Sequence, residues 1–195
     1  MSLPPRDSAA ITLMAPVWTV AQAVEYAAAG ARLVDVGGRD ALILAIRDQL
    51  GGLRICGYSA GADIVRDADL AARTGAGLIC PDVRAAARAG RLGIAAERVL
   101  VRTGPAGIAA AAQAGWAILA GEDGDLAGED DLAGEDGGLA GQDMAAREAA
   151  VAAVCAWLGA SVIRTRHVTE IRRSVEMTES ILGRRPPAGT LRGLA

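Results

Sequence analysis

Residues 30–38 read Gly-Ala-Arg-Leu-Val-Asp-Val-Gly-Gly. Within them Ala31–Val36 is an aliphatic run that does not alternate apolar with polar residues. A continuous apolar run is the pattern of a parallel strand buried on both faces. Gly37-Gly38 stops the strand, and Ala41–Leu50 takes up a helical pattern that Gly51-Gly52 closes. One strand, a glycine turn and one helix make a βα unit, and the rest of the chain repeats it.

Upstream, Ile11–Met14 is a short apolar strand, and Thr19 opens a helix with Gln22 three residues on, the spacing of a capping box. Gly30 follows as a C′ glycine. Downstream, Leu53–Tyr58 is a strand, Asp63–Thr74 a helix, and Ala76–Cys80 a strand leading through Pro81-Asp82 into a short helix that ends at Ala89. Arg98–Arg102 is the fifth strand and Ala106–Ala114 an alanine-rich helix. Trp116–Ala120, Met144–Leu158, Ser161–Thr165 and Val168–Leu182 complete the series. The last helix has a full stop signal in Gly183-Arg184-Arg185-Pro186. Repeated βα units point to a (β/α) TIM-like barrel or an open doubly wound sheet. In both, ligands gather at the C-terminal ends of the strands. The candidate site therefore draws on Asp35, Gly37, Gly38, Tyr58, Ser59, Pro81, Asp82, Arg102, Thr103, Gly104, Gly121, Arg164, Arg166 and His167.

Composition narrows the chemistry. The 195 residues suit one domain, 52% are hydrophobic and 3% aromatic, so the core is aliphatic. Lys, Asn and Phe are absent and all 20 positive side chains are Arg. No lysine is available as a Schiff base or general base, and no asparagine can read an amide edge. Ala, Gly and Arg have GC-rich codons, so this bias reads first as a high-GC genome. Cys56, Cys80 and Cys155 form no Cys-x-x-Cys and read as reduced, mostly buried thiols. A single histidine excludes a histidine-rich metal site. No signal peptide or apolar span is evident, which makes a cytoplasmic location the expectation. The three tryptophans, Trp18, Trp116 and Trp157, read as packing residues.

Segment 121–143 carries nine of the 23 acids and no arginine, leaving 14 acids against the 20 arginines elsewhere. It is a degenerate repeat: EDGDLAG at 122–128, EDDLAG at 129–134 and EDGGLAG at 135–141. The segment reads as a solvated acidic insert in a single domain. The basic body suits a small anionic ligand. Nucleic acid is not expected, because basic residues are not interleaved with aromatic ones and no nucleic-acid module is present.

Five segments resemble dihydropteroate synthases, in order and over most of the chain. Residues 30–38 are similar to that family's GAdiIDIGG, and Gly75–Val83 to its GAdiINDV. Gly93–Gly104 is similar to GIppErIilDPG, Trp116–Gly121 to the strand before SRK, and Gly159–Val168 to GAdivRvHDV. The resemblance implies an eight-stranded (β/α) barrel that joins a dihydropterin pyrophosphate to p-aminobenzoate in folate biosynthesis, with magnesium on the pyrophosphate. Magnesium thus enters only with such a substrate. Seven strands are placed by the pattern, and the interval between Asp82 and Gly93 is too short for another unit. A barrel truncated to seven βα units, either left incomplete or closed with the help of a homodimer partner, is the resulting expectation.

The resemblance also implies a changed site. The family's Asp, Asn and Asp present acceptors to the donor-rich pterin edge. Here the first falls near Tyr58, the second on Pro81 and the third on Arg102. The family's lysine falls in the acidic insert, near Asp125. Arg164 matches the closing arginine, while the histidine two residues later is Arg166, with His167 displaced by one. Arg102 offers only donors, so Arg102, Arg164 and Arg166 are set to hold phosphate or carboxylate. The bland alternative is that they pair with Asp35 and Asp82 at the barrel rim. His167 lacks an evident carboxylate orienter. Asp35, Tyr58, Asp82, Arg102, Arg164, Arg166 and His167 are the ligand-binding candidates. The leading expectation is a dihydropteroate synthase-like pseudoenzyme that binds a small anionic or pterin-related ligand. An active synthase transferase and a non-enzymatic partner or scaffold are the alternatives.

Overall fold

The computed structural model describes residues 10–121 and 139–185, with side chains in the second stretch from Met144 onward. The acidic insert thus lies outside the described residues, apart from Gly121 and the helical backbone of 139–143. Eight parallel strands close into a barrel in sequence order. The chain runs β1 (Thr12–Pro16), α1 (Val20–Ala29), β2 (Leu33–Asp35), α2 (Asp40–Gln49), β3 (Arg54–Gly57), β4 (Ile64–Val65), α3 (Ala68–Thr74) and β5 (Gly77–Cys80). It continues with α4 (Val83–Arg91), β6 (Val99–Arg102), α5 (Pro105–Gln113), β7 (Ala117–Gly121), α6 (Leu139–Leu158), β8 (Val162–Arg164) and α7 (Val168–Ile181).

The local signals explain most of these elements. Thr19 Oγ1 accepts from the Gln22 amide at 3.2 Å, and Gln22 Oε1 accepts from the Thr19 amide at 3.3 Å. Gly30 ends α1 at φ +113°, a conformation that side chains disfavour. Asp67 and Asp82 cap α3 and α4 by accepting from Leu70 and Ala85 amides at 2.6 and 2.7 Å.

The architecture corrects three expectations. Ile64–Val65 is a strand, where helical periodicity was read from Asp63 onward. What the chain lacks is a helix between β3 and β4, so among the described residues eight strands are served by seven helices. The bare crossing is held by Arg47 Nη2, which donates to the Gly61 carbonyl at 2.8 Å and to Asp63 Oδ1 at 3.0 Å. The other Asp63 oxygen accepts from the Ile55 amide at 2.8 Å. Second, β1 pairs with β8 from Thr12↔Val162 to Met14↔Arg164, so the ring closes within one chain and needs no second copy for closure. Third, α6 begins at Leu139, inside the segment read as insert, rather than at Met144.

The period of two along each strand sorts residues into an inner and an outer face. Met14, Leu33, Cys56, Ile64, Ile79, Leu100, Leu119 and Val162, one from each strand, fill the barrel interior. Their neighbours Val34, Ile55, Val65, Leu78, Val99 and Val101 face outward and pack under the helices. Ile118 and Ile163 do the same on the other side, against α5, α6 and α7. Each fully buried Leu or Ile contributes about 1.5–3 kcal/mol. No helix of the described residues is long and apolar enough to cross a membrane.

Candidate functional site

Two residues beyond each interior residue, the same alternation brings a side chain to the C-terminal mouth. Stepping from Leu33, Ile64, Leu100 and Val162 gives Asp35, Arg66, Arg102 and Arg164. Stepping from Cys56, Ile79 and Leu119 gives Tyr58, Pro81 and Gly121. The barrel thus carries an apolar layer and, directly above it, a layer dominated by arginine. Asp35, Tyr58, Arg102 and Arg164 were expected from the sequence. Arg66 was not, because a two-residue strand leaves no periodicity to read.

Asp35 is the hub of this layer. Its side chain is 1% exposed, and Oδ2 accepts from Arg66 Nη2 at 2.8 Å and from Arg164 Nε at 3.3 Å. Oδ1 accepts from the Gly37 amide at 3.1 Å. One carboxylate therefore serves two guanidiniums, and the expected pairing of Arg164 with Asp35 is present. Burial is the largest single influence and opposes the Arg66 charge, but Asp35, Cys56 and Tyr58 together outweigh it and hold the guanidinium above its ordinary pKa. Beneath, the buried Cys56 thiol is pushed up, first by desolvation and then by the Asp35 charge. Arg66 also lies over the Tyr58 ring, 5.4 Å from its centroid.

A cavity of about 1210 Å³ opens above the layer. Tyr58, Arg66, Pro81, Arg102 and Arg164 line it, together with Asp82 and Arg84 from the start of α4. Among the described lining residues, four arginines face a single acid. That acid, Asp82, is engaged as the cap of α4.

The remaining candidates sit on the rim. Arg166 is exposed and lies 5.1 Å from the centroid of the Trp18 ring, where Arg39 also stacks at 5.7 Å. Trp18 is thus a rim residue gripped by two cations, not only a packing residue. His167 occupies the N-cap of α7, and its amide donates to Thr165 Oγ1 at 2.9 Å. Its Nε2 lies 3.8 Å from Glu148 Oε2 of α6, so a carboxylate does stand near it, beyond hydrogen-bond distance. That partner was not legible in the sequence, because α6 and α7 meet only in the fold. A smaller cavity of about 170 Å³ lies beside Glu148, Arg147 and Cys155, and shares Gly121 and Arg164 with the larger one.

The layer does not fit a resident magnesium ion. Its one carboxylate already accepts from an amide and two guanidiniums, and the other charged side chains of the layer, Arg66, Arg102 and Arg164, are cations. Among the described residues no three His, Cys, Asp or Glu side chains are grouped to hold a metal.

No family model matches the chain, and no curated protein matches it. Solved structures do. The Mycobacterium tuberculosis protein Rv1207 superposes with a TM-score of 0.73 at 23% identity, over 92% of this chain and 95% of that one. Dihydropteroate synthase from Yersinia pestis gives 0.69 at 18% identity, over 89% and 93%. The Coxiella burnetii dihydropteroate synthase, solved with pteroic acid, gives 0.72 at 13% identity, over 92% and 98%. The chain has the barrel fold of the dihydropteroate synthases.

Proposed function

We propose that this barrel is a divergent dihydropteroate synthase-like protein that binds a small anionic or pterin-related ligand at its C-terminal mouth and has lost the synthase reaction. The observation that carries this reading is the arginine layer: Arg66, Arg102 and Arg164 line one cavity with Tyr58 and Pro81. The resemblance calls for acceptors here, an Asp, an Asn and an Asp that meet a donor-rich pterin edge. Pro81 and Arg102 stand at two of those positions. With β4 recognised, the residue that follows the strand before that of Pro81 is Arg66 rather than Tyr58. All three acceptors are then replaced, two of them by donor-only cations. Such a floor repels a guanidine-like edge and attracts phosphate, carboxylate or the anionic end of a pterin derivative.

Titration calorimetry with inorganic pyrophosphate tests the binding. Binding is expected, and Arg102→Ala or Arg164→Ala is expected to weaken it about tenfold or more, the loss of one charge-assisted hydrogen bond. Incubation with the dihydropterin pyrophosphate and p-aminobenzoate is expected to yield no dihydropteroate. Product formed at ordinary enzymatic rates would establish an active synthase and overturn the proposed loss of chemistry.

A further inference from the structure

The cavity is far larger than a phosphate or pyrophosphate group, and its walls are unlike. At one end stand Arg66, Arg102 and Arg164. From there it passes the β6–α5 turn and runs along α5, reaching Ala114 at the helix's C-terminal cap. The α5 wall is Gly107, Ala110, Ala111 and Ala114; the outward-facing Val101 also lines the cavity, while Ile79 and Leu119 of the barrel interior line it beneath the arginines. High-GC composition accounts for alanine in general. The consequence here is geometric: no α5 side chain enters the space beyond Cβ. At Gly107 even a Cβ would meet Thr103 Oγ1, so the Thr103 hydroxyl would have to turn aside. Binding cavities of about 300–1,000 Å³ hold drug-sized organic molecules, on mostly apolar walls with a few convergent polar groups. An inorganic anion would leave the apolar length of this cavity wetted and unused.

Building on the anion-binding reading, we infer that the ligand is an amphiphilic organic anion. Its phosphate or carboxylate head rests against Arg66, Arg102 and Arg164, and an apolar or aromatic body lies along the small-residue face of α5. The body carries the selectivity, because the arginines accept any anion of suitable size while only an organic one covers the wall.

The test uses the full chain and two probes, inorganic phosphate and 1-naphthyl phosphate, titrated at equal ionic strength. The naphthyl ester is expected to bind about tenfold tighter or better, from the apolar surface it buries. Ala110→Phe, which fills the groove from an exposed helix position, is expected to bring the ratio of the two Kd values close to one. Ala114→Leu, a milder intrusion, lowers the ratio in the same direction, and unchanged circular dichroism certifies the fold of each variant. Equal affinity for the two probes, or a ratio indifferent to both variants, overturns the amphiphile and leaves the anion site standing. Failure of both probes to bind, or binding indifferent to Arg102→Ala, removes the anion site itself.

Discussion

Asp35 shows how one side chain can organise a layer. With Arg66 and Arg164 both leaning on it, its removal leaves two cations without their partner in a half-buried setting. Asp35→Asn is expected to cost about 3 kcal/mol in urea unfolding, within the range for breaking a buried ion pair. Asp82 provides the contrast, because it is exposed and caps a helix. Asp82→Ala should cost about 1 kcal/mol and Asp82→Asn almost nothing, since asparagine caps as well as aspartate. A third residue gives a pH signature. Burial, aided by the Asp82 charge, pushes the Cys80 thiol from the ordinary 9 up to about 11. The folded state therefore holds the thiol proton more tightly than the unfolded chain does. That stability is fully present below pH 9 and is lost as pH rises towards 11. Urea midpoints measured at pH 8 and pH 10.5 should lie closer together in Cys80→Ala than in the parent. Tyr26 and Cys56 titrate in both proteins and cancel in the difference. At this scale the sequence exposed Asp35, Tyr58, Arg102 and Arg164, because each ends a strand long enough to announce its register. It hid Arg66, the grip of Arg39 and Arg166 on Trp18, and the approach of Glu148 to His167. The last two depend on elements that meet only after folding.

Among the elements, the seven longer strands were legible to within a few residues, because apolar runs bounded by glycine leave few alternatives. Their parallel arrangement followed from the same runs. The two-residue β4 was not legible, since the Asp-Ile-Val-Arg-Asp-Ala-Asp-Leu stretch at 63–70 fits a helical period as well as a strand followed by a helix. The early start of α6 was masked by its composition, because Leu-Ala-Gly at 139–141 repeats the phrase of the acidic segment before it. The end of β7 shows how closely these elements meet. Gly121 adopts φ +145°, and a Cβ there would lie 2.5 Å from the Arg164 carbonyl oxygen and 3.0 Å from Arg164 Cβ. Gly121→Ala must therefore push β7 and β8 apart at the arginine layer. A loss of about 2 kcal/mol in urea unfolding is expected from strain at such a position. Pyrophosphate affinity should fall with it, whereas Gly75→Ala at the C-cap of α3, where nothing crowds the added methyl, should leave that affinity alone.

For the molecule as a whole, the barrel is shared with dihydropteroate synthases at identities of 13–18%, while the layer at its mouth departs from the acceptors the resemblance calls for. Interior packing tolerates many aliphatic substitutions at constant volume, so the fold outlasts its sequence. The mouth has no such freedom, because exchanging an acid for an arginine inverts the chemistry of what binds. The ring is also unequal around its circumference. Strand β4 meets each neighbour through two residue pairs, whereas every other adjacent pair of strands is joined through three. It also has no helix of its own on the β3 side. The hoop therefore has a weakest stave, and breathing should begin there. Amide hydrogen exchange at Ile64 and Val65 should run faster than at Leu100 and Val101, whose strand is longer and covered on both sides. Arg66 is the next residue after that stave, so an anion held by Arg66 should slow exchange at Ile64 and Val65 more than anywhere else in the barrel. The thinnest part of the wall would then act as the gauge of whether the site is filled.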